Sequence, residues 1–296
     1  MITLEKCSLC PIECRANRLF SHGYCGAGKL PKVARAALHY WEEPCISGKG
    51  GSGTVFFSGC SLKCVYCQNY DVSHGNFGKE ISVQRLAEIF LELQKKGAEN
   101  INLVSPTHYC LQIAKALEIA GNSLNIPIVY NTGGYENIET LKFMEKYVDI
   151  YITDIKYYSE DLSEKYSGVS DYFSHASAAV KEMVSQKKIY TDENGILKKG
   201  VIIRHLVLPL QRKDSFKALD FLKENFDPGD FLLSLMSQYT PNNNLEKYPE
   251  INRRVTSFEY NSVVDYAINL GFENGFMQNR CSAEKKYTPP FDLTGV

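Results

Sequence analysis

The sequence lacks the features that mark membrane, exported and nucleic-acid-binding proteins. No apolar run approaches the roughly eighteen residues of a membrane-spanning helix, and no apolar segment near the N-terminus precedes a cleavage site. Basic residues run together only in pairs such as Lys187-Lys188, and the formal net charge of the 296 residues is −1. The sequence therefore shows no basic patch of the kind that binds nucleic acid or acidic membranes. We expect a cytoplasmic protein without a membrane or nucleic-acid partner.

The composition is that of an ordinary globular protein, with 44% hydrophobic and 23% charged residues. A chain of this length can bury roughly three-quarters of the surface of its unfolded state, which is enough for one large domain. Most of the ten cysteines precede position 70. In a reducing cytoplasm such a cluster indicates metal binding, because disulfides do not persist there.

Three of these cysteines, Cys60, Cys64 and Cys67, follow the apolar segment TVFFSG in the run FFSGCSLKCVYCQN. The segment predicts a strand, so the cysteines would lie in the loop that leaves it, where backbone N–H groups can reach a cluster. Three thiolates so close in sequence can hold an iron–sulfur cluster and leave one iron open to a ligand. The alternative is a closed zinc or iron–sulfur site completed by Cys45 or Cys110.

Alternating apolar strands and amphipathic helices predict the fold. Six mostly apolar runs predict strands buried on both faces, and each precedes a helix candidate. The strands are predicted at 54–58, 101–105, 126–130, 148–155, 200–208 and 231–235, and the helices around 86–93, 113–120, 138–146, 176–183, 215–225 and 260–267. This alternation of strands and helices predicts an α/β fold with a partial (β/α)6 barrel of the TIM type. We divide the chain into a small Cys-rich N-terminal lobe, 1–50, and the barrel domain with its irregular C-terminal tail, 51–296.

Polar segments follow the predicted strands, at the edge where barrel active sites form. They are the cysteine loop 60–67, 105–108, 131–134, Asp154 with Lys156, His205, and 237–239. Because the carboxyl ends of parallel strands meet at one edge of the sheet, we expect these segments to form one site. Tyr239 in the last of them is the tyrosine expected to face a substrate.

The C-x3-C-x2-C spacing, with Tyr66 before the third cysteine and Gln68-Asn69 after it, resembles the cluster motif of the radical S-adenosylmethionine superfamily. With C-x-x-C-P-x-x-C, INLVSPTH, YNTGGYE, DIYITDIKY, IRHLVLP and LMSQYTP, the chain is identified as a member of the pyruvate formate-lyase activating enzyme-related family, over nearly its whole length. The resemblance implies a 4Fe–4S cluster on Cys60, Cys64 and Cys67 with S-adenosylmethionine on its open iron. It also implies reductive cleavage of that cofactor to methionine and a 5′-deoxyadenosyl radical, which removes a hydrogen atom.

The resemblance implies nucleoside contacts at the later strands. Asp154 and Lys156, two apart on a strand, leave the same face, and DIK is similar to the D-L-K motif of glycyl-radical-enzyme activases. A mutual salt bridge at the barrel rim is the alternative. His205 in RHLVLP matches a histidine that lies against S-adenosylmethionine in those activases. Its alternative role is that of a hydrogen-bonded core histidine.

The methionyl part of the cofactor would meet the earlier strands. The activases carry Gly-Gly-Glu after strand two, but this chain has SPTHYC, where a helix start at His108 could bind the methionyl carboxylate. Thr107 is the alternative contact, or only an N-cap. Asn131-Thr132 replaces an Asp-Thr pair, and an amide weakens a cation site, so no cation is expected. The predicted cofactor contacts are Tyr66, Asn69, Thr107, His108, Asn131, Thr132, Asp154, Lys156 and His205, with no catalytic residue beyond these and the cluster ligands.

A second set of cysteines forms C-x2-C-x3-C-x10-C near the N-terminus. Four thiolates at this spacing can close around one metal, and a lobe this small cannot build much core without one. Structural zinc or iron and an auxiliary iron–sulfur cluster are both consistent with the spacing, which does not choose the metal. The predicted ligands are Cys7, Cys10, Cys14 and Cys25, whereas Cys45, Cys110 and Cys281 are interpreted as isolated thiols.

Three functions are consistent with these residues. The first is an anaerobic radical enzyme that abstracts hydrogen from a glycine of a partner glycyl radical enzyme. The second keeps the radical but applies it to a small molecule, an RNA base or another peptide. The third is a non-catalytic metal or electron-transfer protein. The first two imply an electron donor of the flavodoxin or ferredoxin type.

Overall fold

The structure is a computed structural model, and it describes residues 2–241, 245–278 and 288–296. In these residues the strands are β1 (Lys32–His39), β2 (Ser52–Phe57), β3 (Lys79–Glu80), β4 (Ile101–Val104), β5 (Ile128–Thr132), β6 (Ile150–Asp154), β7 (Tyr190–Thr191), β8 (Leu197–Leu206), β9 (Leu232–Met236) and β10 (Gly275–Met277). The α-helices are α1 (Pro44–Ser47), α2 (Tyr70–Ser73), α3 (Val83–Lys95), α4 (Cys110–Ala120), α5 (Ile138–Met144), α6 (Glu160–Ser167), α7 (Tyr172–Gln186), α8 (Arg212–Asn225) and α9 (Ser257–Asn269).

The six predicted strands form the centre of one sheet. β2, β4, β5, β6, β8 and β9 lie side by side in chain order, and each pair is parallel. β1 borders β2 in the antiparallel direction, and β10 extends the other edge parallel to β9. The sheet does not close into a ring, which confirms the α/β fold with a partial barrel. Neither border strand was predicted.

The register of the strands assigns their side chains to two faces. Leu103, Tyr130 and Ile203 belong to the large core that the sheet shares with the helices. The alternate residues form what we call the inner face, where Val129 and Ile152 pack in a smaller core with Ile46 of α1. The segment after β1 therefore enters the barrel and fills its interior.

A buried ion-pair network lies on the inner face. Arg204 of β8 pairs with both Glu42 and Glu43, and its Nε lies 2.7 Å from Glu43 Oε1. Asn102 of β4 donates to Glu42 at 3.1 Å. Burial alone would raise the Glu43 pKa, but the Arg204 guanidinium holds this pKa below its usual value. Loss of one partner from such a network costs about 3–5 kcal/mol, because the remaining charge is buried without compensation.

Residues 2–31 contain no α-helix or strand and are fixed largely by one arginine. The side chain of Arg18 is fully buried, and its Nε and Nη2 donate to the carbonyl oxygens of Ala27 and Gly28 at 3.1 and 2.9 Å. Its Nη1 donates to the carbonyl oxygen of His108 at 2.5 Å, which joins the lobe to the barrel. The division at residue 50 stays a prediction, and the strand before it shares a sheet with the strand after it.

The C-terminal residues 288–296 form neither helix nor strand but bind to β1. The backbone N–H of Leu293 donates to the carbonyl oxygen of Ala34 at 3.1 Å, and that of Ala36 donates to Thr294 at 2.8 Å. Across the described residues, each helix is too short or too polar to span a lipid bilayer.

Candidate functional site

The loop after β2 holds Cys60, Cys64 and Cys67 at the carboxyl edge of the parallel sheet. Gly59 begins this loop with φ +88°, a conformation that favours glycine. A Cβ atom there would overlap the carbonyl oxygen of Cys25, so the missing side chain lets the N-terminal lobe lie against the cysteine loop. The backbone N–H of Cys67 donates to the carbonyl oxygen of Cys64 at 3.1 Å, which turns the chain between the two ligands.

The environment of the three sulfur atoms fits thiolate ligands of a cluster. Ser167 Oγ lies 3.0 Å from Cys64 Sγ, and Ser73 Oγ donates to Cys67 Sγ at 3.3 Å. Burial, with the neighbouring cysteines, raises the pKa of Cys60 to about 12, so metal binding must displace protons. Within the described ranges, no three Cys, His, Asp or Glu side chains converge on one point as a single ion would require. Cluster ligands bind different irons, so this result is compatible with a 4Fe–4S cluster.

A small cavity of about 20 Å³ opens beside Cys60. Its lining comes from the loops after β2, β4 and β5 and includes Cys60, Ser105, Thr107, His108, Thr132 and Gly133. Three strand ends therefore meet at one cavity, as sequence reasoning predicted for a βα-barrel.

The ring of His108 is buried and neutral. Its Nε2 lies 2.8 Å from the carbonyl oxygen of Ser58, which can only accept, so Nε2 carries the hydrogen. Burial, together with the positive charges of Arg18 and Lys63, lowers the pKa of His108 to about 3. Nδ1 therefore carries no hydrogen at neutral pH and can act only as an acceptor.

Glu136, which the sequence did not single out, joins two loops of the cavity. Its carboxyl group accepts from Thr107 Oγ1 at 2.6 Å, from Thr132 Oγ1, and from the Tyr130 hydroxyl at 3.2 Å. Burial raises the pKa of Glu136 to about 7, although the three hydroxyl donors lower it. Its only sequence signal is a carboxylate directly after the turn NTGGY, and nothing in that pattern indicates burial.

Asp154 and Lys156 form the salt bridge that was the alternative to cofactor binding. Their side chains are 19% and 18% exposed and contact each other at the end of β6. Burial alone would lower the Lys156 pKa, but the charges of Asp154 and Cys64 raise it well above its usual value. Gly134, at φ +85°, lets the loop after β5 lie against the carbonyl oxygen of Asp154. A nucleoside contact by either side chain stays a prediction.

His205 lies on the helix side of β8, away from the inner face. Its Nδ1 is 2.7 Å from the carbonyl oxygen of Ile155, and its Nε2 is 2.8 Å from Ser215 Oγ in α8. Both ring nitrogens are therefore bonded within the protein, which is the geometry of a core histidine. The cofactor contact stays a prediction, and it would have to use the ring face or break one of these bonds.

The other predicted contacts are not among the residues that line the cavity. Asn131 is half-buried on the inner face of β5, where it pairs in register with Ile152. Asn69 is half-buried at the start of α2 and makes no side-chain cap. Tyr66 is buried, and its hydroxyl lies 2.6 Å from that of Tyr157. The structure does not support a substrate-facing Tyr239, because this side chain is 1% exposed and donates to the Ile251 carbonyl oxygen.

The cysteines of the N-terminal lobe lie near one another. Cys7, Cys10 and Cys25 are buried, whereas Cys14 is exposed. The sulfur atoms of Cys14 and Cys25 each lie 3.5 Å from the position that a Cβ atom on Gly23 would take. A metal in this lobe stays a prediction. Cys45 and Cys110 are buried thiols, and Cys281 lies outside the described residues.

Known proteins resemble this chain in sequence. The sequence profile of the Radical SAM superfamily matches residues 54–192. Uncharacterized protein MJ0674 of Methanocaldococcus jannaschii is 31% identical over 273 residues, which cover 89% of this chain and 74% of that protein. A pyruvate formate-lyase-activating enzyme of Clostridium pasteurianum is 29% identical over 128 residues, which cover 39% of this chain and half of the enzyme.

Solved structures share the fold at low sequence identity. SuiB of Streptococcus suis bound to S-adenosylmethionine superposes with a TM-score of 0.53 at 17% identity, covering 74% of this chain and 48% of SuiB. Methylornithine synthase PylB gives a TM-score of 0.52 at 15% identity, covering 82% of this chain and 72% of PylB. The chain thus spans less than half the length of SuiB, and these likenesses concern the fold alone.

The buried carboxyl of Glu136 gives a prediction for stability against pH. Its pKa is raised from 4.5 to about 7, so the folded protein keeps a proton that the unfolded chain releases. The free energy of unfolding should therefore fall as the pH rises from about 4.5 to about 7, by roughly 3 kcal/mol from this group. Glu136→Gln keeps a side-chain oxygen that accepts from both threonines, but it does not titrate. Its free energy of unfolding, measured by urea denaturation, should therefore lack this pH-dependent contribution. Glu139→Gln, an exposed change three residues away, should keep the wild-type pH dependence, and an equal response of both variants would contradict the prediction.

Proposed function

Because the chain belongs to the radical SAM superfamily, we propose that it binds a 4Fe–4S cluster through Cys60, Cys64 and Cys67 and cleaves S-adenosylmethionine reductively. The observation that carries the proposal is the cysteine loop of β2, which opens into the cavity shared by Cys60, Thr107, His108 and Thr132. When bound and reduced, the cluster would supply the electron for this cleavage, which gives methionine and a 5′-deoxyadenosyl radical.

The cavity presents hydrogen-bond acceptors, which suits the ammonium group of the cofactor. Thr107 and Thr132 donate their hydroxyl hydrogens to Glu136, so each hydroxyl oxygen can act only as an acceptor toward a ligand. Nδ1 of His108 likewise carries no hydrogen. The proposed contact of Thr107 and His108 is therefore with the methionyl ammonium rather than with the carboxylate that sequence reasoning assigned to them.

The remaining contacts are proposed for the carboxylate and the nucleoside. The ammonium of Lys156 lies beside Gly133, a residue of the cavity, and can meet a carboxylate while Asp154 holds it in place. Asp154 retains a second carboxylate oxygen for ribose hydroxyls. Tyr66, Asn69, Asn131 and His205 complete the proposed surroundings of the cofactor.

The proposed hydrogen donor is a backbone glycine of a partner glycyl radical enzyme. The support is the similarity to the clostridial activating enzyme of pyruvate formate-lyase, half of whose length matches this chain. A flavodoxin or ferredoxin-type protein is the proposed electron donor, in an anaerobic cytoplasm. Radical modification of a small molecule, an RNA base or another peptide is the alternative.

Cofactor cleavage is tested with protein reconstituted with iron and sulfide in the absence of oxygen. Wild-type protein with dithionite and S-adenosylmethionine should form 5′-deoxyadenosine, measured by liquid chromatography. Cys60→Ala should lose the absorbance of the cluster bound by Cys60, Cys64 and Cys67 and form product only at background level, because two thiolates do not secure the cubane. Cys45→Ala removes a buried thiol of the inner-face core and should keep both properties. Cleavage by Cys60→Ala at the wild-type rate would refute the assignment.

The choice of substrate is tested by adding a candidate glycyl radical enzyme encoded near this gene. Electron paramagnetic resonance should then show a glycyl radical whose doublet collapses when the glycine is deuterated at its α-carbon. Wild-type protein that forms 5′-deoxyadenosine but never yields this signal would overturn the activase assignment and leave the cleavage reaction standing.

The N-terminal cysteines are proposed to bind structural zinc or an auxiliary iron–sulfur cluster. Iron, sulfide and zinc content should fall in a Cys7→Ala/Cys10→Ala double variant by the contents of one site, while the absorbance due to Cys60, Cys64 and Cys67 remains. The thermal midpoint should also fall, because the lobe has little core of its own. Unchanged metal content relative to a Cys45→Ala/Cys110→Ala control would argue against a metal in the lobe.

A further inference from the structure

A chain of buried hydroxyl groups leads to the sulfur atom of Cys64. The Tyr66 hydroxyl lies 2.6 Å from that of Tyr157, and the Tyr157 hydroxyl lies 2.8 Å from Ser167 Oγ. Ser167 Oγ in turn lies 3.0 Å from Cys64 Sγ. Tyr157 and Ser167 have no exposed surface and Tyr66 is 7% exposed, so water does not compete for these bonds.

The protein backbone holds the end of this chain in place. Ser167 is the last residue of α6, and Gly168 follows it in the left-handed conformation at φ +75°. The carbonyl oxygen of Ser167 accepts from the N–H of Lys63 at 3.1 Å, and that of Tyr166 accepts from Val65 at 2.9 Å. Both neighbours of Cys64 are thus bonded to the C-terminal turn of α6, which fixes Ser167 Oγ against the sulfur.

Ligation by Cys64 sets the direction of the three hydrogen bonds. Each hydroxyl has one hydrogen to donate, so the chain could point either way while Cys64 is a thiol. A thiolate has no hydrogen and must accept from Ser167. Ser167 then accepts from Tyr157, and Tyr157 accepts from Tyr66. Hydrogen bonds aligned in this way polarise one another in a dry environment.

We propose that Tyr66, Tyr157 and Ser167 form a relay that donates a hydrogen bond to the Cys64 thiolate and raises the reduction potential of the cluster. This inference rests on the proposed function. A hydrogen bond to a ligand sulfur withdraws negative charge from the cluster and stabilises its reduced, more negative state. The relay residues act through Cys64 and are positioning residues, so Tyr66 serves the cluster through its hydroxyl group.

The proposal is tested by redox titration of the reconstituted protein, followed by electron paramagnetic resonance. Ser167→Ala should shift the midpoint potential to a more negative value, because the thiolate loses its donor. Tyr157→Phe should shift it in the same direction by less, because Ser167 still donates but is no longer polarised. Ser167→Thr restores the hydroxyl and should bring the potential back toward the wild-type value.

The matched control is Ser163→Ala in the same helix. Ser163 is also buried, but its Oγ donates to the Glu160 carbonyl oxygen and has no part in the relay. The midpoint potential of the cluster in Ser163→Ala should equal that in the wild type. If Ser167→Ala takes up no cluster, the comparison of Tyr157→Phe with Ser163→Ala decides, since Phe preserves the ring packing.

The relay would be overturned if Tyr157→Phe had the same midpoint potential as Ser163→Ala. The same potential in Ser163→Ala and in a cluster-bound Ser167→Ala would also overturn it. A wild-type protein that binds no cluster would instead overturn the proposed function. The two failures are distinguished by comparing the iron and sulfide content of the wild type with that of Cys60→Ala, because a cluster in the N-terminal lobe would remain in both.

Discussion

The missing side chain at Gly59 allows the N-terminal lobe to lie directly against the barrel. Through it the carbonyl group of Cys25 lies against the first residue of the cysteine loop. Two further bonds strengthen the same junction, from Arg18 to the His108 carbonyl oxygen and from the His108 ring to the Ser58 carbonyl oxygen. The lobe, the cysteine loop and the loop after β4 thus form one unit, and the shape of the cavity depends on all three.

Charge is arranged differently on the two sides of the sheet edge. The inner face carries Arg204 between Glu42 and Glu43, and Asp154 is paired with Arg204 in the strand register. The cavity beside Cys60 is lined instead by hydroxyl groups and a neutral imidazole, and the protonatable Glu136 is bonded to two of its threonines. A cationic sulfonium cofactor would therefore lie between an acceptor-rich cavity and an interior that is rich in carboxylates.

The six central strands and their order were predictable from the sequence, because each strand is a short apolar run followed by an amphipathic helix. The spacing of apolar residues in such a segment indicates its secondary structure without knowledge of tertiary contacts. It also placed Cys60, Thr107, His108 and Thr132 together, because the carboxyl ends of parallel strands share one edge. β1 was missed because KVARAALH mixes charged and apolar residues and pairs only along one side with a full strand.

The features that escaped prediction depend on contacts between distant parts of the chain. Arg18 and Glu136 look like ordinary surface charges, and only the assembled fold surrounds the first with carbonyl groups and the second with hydroxyl groups. His205 shows the reverse case. Its motif suggested a ligand contact, whereas the register directs its ring toward α8.

The bonds between α6 and the cysteine loop also bear on how the protein would acquire the proposed cluster. Cys64 and Ser167 are 103 residues apart, so the loop cannot take its final shape until the helix has been synthesised and has docked. Formation of this contact requires closure of a long chain segment, which is slow relative to local folding. The proposed cluster site is therefore completed only after α6 has been made, and iron and sulfide would be delivered to a chain that already holds four of the six central strands.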